Sequence, residues 1–164
     1  MSNEKHFSLR DELLGELVTH IRAFQNAVDG FDQAASEVLG LNRTDQRCAD
    51  LLAFQGPMTA GQLAEASGMS TGAITAVIDR LERAGFVERY RDETDRRRVF
   101  IKVTDEGFQK GGEVYGPLGA EGMEVLQQYS NDEIRLFCKF MQEGAELNRR
   151  HTERLRREQQ QGEG

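Results

Sequence analysis

Three consecutive arginines, Arg96, Arg97 and Arg98, close a polar run that reads DETDRRR from Asp92 to Arg98. A guanidinium is always charged and offers a fork of N–H donors that matches phosphate. Carried on a narrow ribbon, it can also enter a DNA minor groove, where negative potential is strongest. Asp95, just upstream, is placed to orient one of the three through a charge-assisted hydrogen bond. A solvated loop is the plain alternative, but a hairpin that merely turned would not need three cations at its tip.

A second group precedes them. Ile74, Val77, Ile78 and Leu81 fall at i, i+3, i+4 and i+7, the mark of one apolar helical stripe. The other face carries Thr71, Gly72, Thr75, Ala76, Asp79 and Arg80. Side chains that are small or short and polar near the N-terminus suit a helix lying in a major groove about 12 Å wide. On this reading Ser70, Thr71 and Thr75 contact phosphate or base edges, the small Gly72 and Ala76 fit the groove, and Arg80 and Arg83 reach the backbone.

The elements that must hold these residues are also legible. Thr59 with Gln62 forms a capping box, and Met58 and Leu63 stand where a hydrophobic staple closes over it. Gly68 can take the left-handed conformation that ends a helix, and Ser70 or Thr71 can cap the next at once. Helices so close in sequence cross steeply, and Ala64 supplies a small residue for the crossing. After Gly85, FVERYR (Phe86–Arg91) alternates as a half-buried strand should, and VFIKV (Val99–Val103) is its return. Helix, tight turn, helix and hairpin are the parts of a winged helix-turn-helix. The fold expected is therefore mainly α with a small β-hairpin wing.

The run from Gly72 to Gly107 resembles the recognition helix and wing of MarR-type bacterial transcriptional regulators. Their wing pattern of Asp, a short spacer, Asp-Arg-Arg, a strand, then Thr and Gly is matched by Asp92, Asp95, Arg96, Arg97, Val103, Thr104 and Gly107. The resemblance implies a two-fold homodimer whose recognition helices enter successive major grooves of double-stranded DNA at a palindromic site, and the expected role is that of a repressor. It also implies a small aromatic or phenolic effector bound between the dimerisation helices and the DNA-binding lobe. Candidate pocket residues are His20, Phe24, Phe54 and Tyr115. Ala76 stands where many relatives carry a longer polar residue, so specificity is expected to lean on DNA shape.

The flanks fit this plan. Ser8 with Asp11 caps a first helix whose apolar residues, Leu13, Leu14, Leu17, Ile21, Phe24, Val28 and Phe31, keep a helical period to about Leu39. Thr44 is expected to cap the next helix, which ends at Gly56-Pro57. Thr104 caps a helix weakened by several glycines and by Pro117, where a kink near Gly116-Pro117 is expected. Ser130 with Glu133 opens a last helix, whose final residues are expected to be disordered. The chain is read as one domain, 1–164. Residues 42–104 form the winged helix-turn-helix lobe, and 8–40 with 105–157 form the N- and C-terminal dimerisation helices.

Composition narrows the alternatives. The net charge is −7, which opposes DNA binding, yet Arg80 to Arg98 holds seven Arg against five Asp and Glu, a local excess of two positive charges. An acidic remainder makes affinity steeply dependent on salt. With no 18-residue apolar stretch and no leader pattern, a soluble cytoplasmic protein with no membrane contact is expected. Cys48 and Cys138 are ninety residues apart and are read as reduced, semi-buried helix residues. His6, His20 and His151 are scattered, so no metal site or cofactor is expected. No phosphate loop, paired His/Cys spacing or Gly-flanked serine suggests catalysis. The alternative from another class is a winged-helix protein-interaction module whose wing arginines meet an acidic protein. The acidic net charge favours it, while the small residues of the second helix, which offer no large anchor, argue against it.

Overall fold

The computed structural model describes residues 8–162. Its elements run α1 (Leu9–Leu39), α2 (Arg43–Gln55), β1 (Met58–Thr59), α3 (Ala60–Ser67), α4 (Thr71–Arg83), β2 (Val87–Arg91), β3 (Val99–Val103), α5 (Asp105–Leu126) and α6 (Asn131–Gly162). The chain divides into two compact units, Met1–Gly116 and Pro117–Gly164. His6 lies outside the described residues, as do the last two of the chain; up to Gly162 the C-terminal segment expected to be disordered is helical.

The first unit is built around α4. Ile74, Val77, Ile78 and Leu81 are all essentially inaccessible to solvent and pack with Cys48, Leu52, Leu63, Phe86, Val87 and Ile101 into one cluster. Burying each of these larger side chains contributes roughly 1.5 to 3 kcal/mol. Ala64 is buried where α3 meets this cluster, as the small residue at a steep crossing should be. Gly68 ends α3 at φ +69°, and Ser70 is the cap of α4, its hydroxyl accepting from the Ala73 N–H; Thr71 is the first helical residue.

The sheet has three strands in the order β1-β3-β2, all antiparallel. Val87 pairs with Val103 and Arg91 with Val99, the hairpin read from the sequence. The two-residue β1 was not anticipated: Met58 pairs with Ile101 and Thr59 with Phe100, so the staple residue before α3 also closes the sheet's far edge. Thr59 and Gln62 form the capping box as well.

Two other expectations are corrected. Asn42, not Thr44, caps α2: its side-chain Oδ1 accepts from the Asp45 N–H at 2.9 Å, and asparagine ranks above threonine in that role. Cys48 is wholly buried rather than semi-buried, and burial pushes its thiol up, away from the thiolate a redox sensor needs; Cys138 is exposed. Helix α5 runs on through Pro117, and the boundary between the two units falls at that residue, where the kink is expected.

In the second unit Ser130 and Glu133 form the predicted cap of α6, with the Ser130 hydroxyl donating to Glu133 at 2.6 Å. Tyr129 meets Phe137 edge-on at 5.2 Å, securing the helix start.

The joint between wing and α5 explains the Thr-x-x-Gly spacing. Thr104 donates its hydroxyl to the Gly85 carbonyl at 2.6 Å and accepts the Gly107 N–H at 2.9 Å, while its own N–H reaches the Phe86 carbonyl at 3.0 Å. Gly107 packs so close to that carbonyl that a Cβ would collide with backbone. Gly107→Ala should therefore destabilise the fold by about 1 to 3 kcal/mol, the range for overpacking. Chemical denaturation of the two proteins checks this; equal midpoints would show that the joint relaxes freely.

Candidate nucleic-acid interface and the cavity beside it

The exposed face of α4 is small and polar. Thr71, Gly72, Thr75 and Ala76 are all solvent-accessible, and the Thr75 hydroxyl is folded back onto the Thr71 carbonyl at 3.0 Å. The first-turn N–H groups of Thr71 and Gly72 precede any intrahelical acceptor, so they face outward with the positive end of the helix dipole. That is an arrangement suited to a phosphate.

The wing tip is held by the two aspartates of the motif. Asp92 Oδ1 accepts the N–H of Thr94 at 2.7 Å and of Asp95 at 3.1 Å, and the hydrogen bond from the Thr94 hydroxyl holds its carboxyl below the usual carboxylate range. Asp95 Oδ1 accepts both the backbone N–H and the Nε–H of Arg97, each at 3.1 Å. Arg97 is thus restrained while remaining 92% exposed. Arg98 lies over the Phe100 ring at 4.9 Å, and Phe100 in turn stacks with Tyr90 at 5.8 Å. Arg96 is exposed.

Not every arginine of the basic stretch is available. Arg80 directs Nε and Nη2 at Asp45, with the shortest contact at 2.6 Å. Asp45 is 4% exposed against 41% for Arg80, and it also accepts from the Asn42 side chain at 2.9 Å. Arg80, expected at the DNA backbone, is first a clamp between α4 and α2, leaving Nη1 uncommitted. Arg89 is a second clamp, joining Asp79 and Glu82 of α4 to β2. Sequence reasoning missed it because the pairing spans a helix and a strand; charge complementarity between Asp79, Glu82 and Arg89 was the only available signal. Arg83 is exposed and forms no ion pair among the described residues.

Beside the sheet, the end of α1, the length of α2 and the first turns of α5 enclose a cavity of about 470 Å³. Its walls are mostly apolar and include Phe54, Phe86 and Phe108, with Tyr115 at one side. Of the four pocket residues expected from the sequence, Phe54 and Tyr115 line it. His20 does not; it stands on the exposed face of α1 beside Glu16. Phe24 lies on a separate shallow cleft of α1. Tyr115 meets Phe31 edge-on at 5.3 Å, accepts from the Gln46 amide and donates to Asp32 at 3.3 Å. Burial and the Asp32 charge push the phenol up to about 12, so it stays a neutral donor.

A MarR family sequence model matches residues 41–99, the stretch from α2 to the return strand of the wing. An uncharacterized HTH-type transcriptional regulator of Bacillus subtilis (strain 168), YcgE, is 38% identical over 147 residues, which span 90% of this chain and 96% of that protein. The chain belongs to the MarR family. It is accordingly a winged helix-turn-helix transcriptional regulator of a DNA-binding family. Among solved structures, the transcriptional regulator PA4135 is 25% identical, with a TM-score of 0.56 over 77% of this chain and 93% of its own. NadR in complex with 4-hydroxyphenylacetate is 23% identical, with a TM-score of 0.59 over 87% and 96%, and shares the fold. No helix among the described residues is long and apolar enough to cross a membrane.

In this MarR-family chain the two arginine roles separate by stability. Removing Arg80 strands a buried carboxylate, so Arg80→Ala should cost about 3 kcal/mol, the low end for a broken buried pair because the guanidinium edge is solvated. Arg83→Ala, with no partner to strand, should leave the thermal midpoint unchanged. A differential scanning comparison checks both; an undiminished midpoint for Arg80→Ala would remove the clamp.

Proposed function

We propose that this protein binds DNA as a homodimer and represses transcription from a palindromic operator until a small molecule enters the cavity. The observation that carries the reading is the pairing of an accessible, small-residue N-terminal face on α4 with a wing whose Arg97 is aimed by Asp95. In this reading Ser70, Thr71 and Thr75 contact phosphate or base edges, with Gly72 and Ala76 admitting close approach. Arg83 meets the backbone, Arg96 or Arg97 enters the minor groove with Arg98 beside them on the wing, and Arg80 acts mainly by fixing the helix.

Dimerisation is supported by apolar residues left open to solvent within each unit. Leu13, Leu14, Leu17 and Val18 are exposed on α1, and Leu136, Phe137, Phe140 and Met141 on α6. A second copy would cover such faces. Two recognition helices would then enter successive major grooves, about 34 Å apart. The lobe 42–104 reads DNA and the segments 8–40 and 105–157 pair in this scheme, which places the protein in the cytoplasm. NadR, a protein of the same fold, was solved in complex with 4-hydroxyphenylacetate, which supports a small-molecule effector, and the cavity is the place we assign to it here. An effector acts there only by binding the DNA-competent and incompetent forms unequally.

Fluorescence anisotropy on DNA from upstream of the protein's own gene tests the reading. Two subunits per site should bind in the presence of scrambled competitor, with affinity falling as salt rises. Arg97→Ala should weaken binding about tenfold, as loss of a charge-assisted contact does. Undiminished affinity would take the wing out of the mechanism.

A further inference from the structure

We propose that the cavity is selective for an aromatic cation, such as a quaternary ammonium carried on a ring, over phenolic or carboxylate anions. This inference rests on the effector reading of the cavity and names the chemistry of its ligand.

Three observations carry it. First, the ionisable groups that line the cavity are Asp32, Asp50 and Tyr115, with no Lys, Arg or His among its wall residues. Tyr115 is held as a neutral phenol, so the fixed charge of the walls is carboxylate alone. Second, Asp50 has no hydrogen-bond or ion-pair partner among the described residues, although it is half-buried. Desolvation and the neighbouring Asp32 both push its carboxyl up, the sign of a site short of positive charge. Asp32 receives the Tyr115 hydroxyl on one oxygen, and its other oxygen has no partner. Third, Phe54, Phe86 and Phe108 offer aromatic surface in the same walls, and ring faces attract cations as well as apolar groups.

Two cations close to the walls are already paired with other carboxylates. Lys110 lies over the Phe86 ring at 5.3 Å but pairs with Glu106 at 2.7 Å and is not part of the lining. Arg43 pairs with Asp29 at 2.7 Å. An anion entering the cavity would therefore meet two carboxylates and no cation in the lining, whereas an aromatic cation would meet two acceptors and the rings of Phe54 and Phe108. The volume, about 470 Å³, is within the range of small-molecule sites.

Calorimetric titration of the full-length protein with benzyltrimethylammonium, benzyl alcohol and 4-hydroxyphenylacetate tests the proposal. The cation should bind at least tenfold more tightly than the anion. Asp50→Asn should weaken the cation at least fivefold and leave benzyl alcohol unchanged. Asp32→Asn, made in parallel, should shift the same balance and covers a failure of the first variant to fold. Anion binding equal to or tighter than cation binding overturns the proposal, as does a cation affinity indifferent to both substitutions or no binding by any of the three. Anisotropy with operator DNA separates the two readings: a cation that binds through Asp50 without changing DNA affinity leaves the selectivity standing and removes effector release.

Discussion

Asp45 is a buried carboxylate that ties two helices and a helix cap together. Its backbone N–H is bound by the Asn42 side chain that starts α2, and its oxygens take the Asn42 amide and the Arg80 guanidinium of α4. A charge removed from water this far is stable only while every partner stays in place. The orientation of the recognition helix against α2 is therefore fixed by a directional contact, and the apolar stripe beneath it supplies cohesion without direction. The Arg89 bridge does for helix and wing what Arg80 does for the two helices. Reading helix and wing strand are tied to the same compact unit.

Those clamps change the electrostatic picture of an acidic chain. The excess of arginine between Arg80 and Arg98 overstates the charge free to meet phosphate, because Arg80 and Arg89 are neutralised internally. What remains outward is concentrated at Arg83 and the wing tip. A small, localised cationic footprint on a protein of net charge −7 favours contact in one orientation and disfavours loose association elsewhere on the surface.

What could be read from the sequence follows the range of the interaction. The capping boxes at Ser8–Asp11, Thr59–Gln62 and Ser130–Glu133 each span three residues, and all three form. The stripe of α4 and the register of the hairpin follow from periodicity and are equally local. The MarR resemblance rested on that same stretch, and the family assignment bears it out. The misses are contacts between distant residues. Strand β1 exists only because β3 returns beside it, and the pairing of Arg80 with Asp45 crosses thirty-five positions. His20 and Phe24 share helix α1 with Asp32 and Leu39 but do not line the same cavity, a matter of phase along thirty-one residues that periodicity alone did not resolve. Thr44 lost the cap to a better capping residue two places earlier.

The cavity has walls of two different kinds. Phe86, Val103 and Gly107 belong at once to the cavity and to the joint where the hairpin hands over to α5, so their shapes are dictated by folding. Ala53, Phe54, Gly111 and Gly112 carry no such second duty; Phe54 is 89% exposed, and an added Cβ at either glycine meets open space. Sequence change has one side of the chamber to work with. That side is the rim of α2 and the glycine-lined turn of α5, where a lineage can alter what the chamber admits without renegotiating how the protein folds.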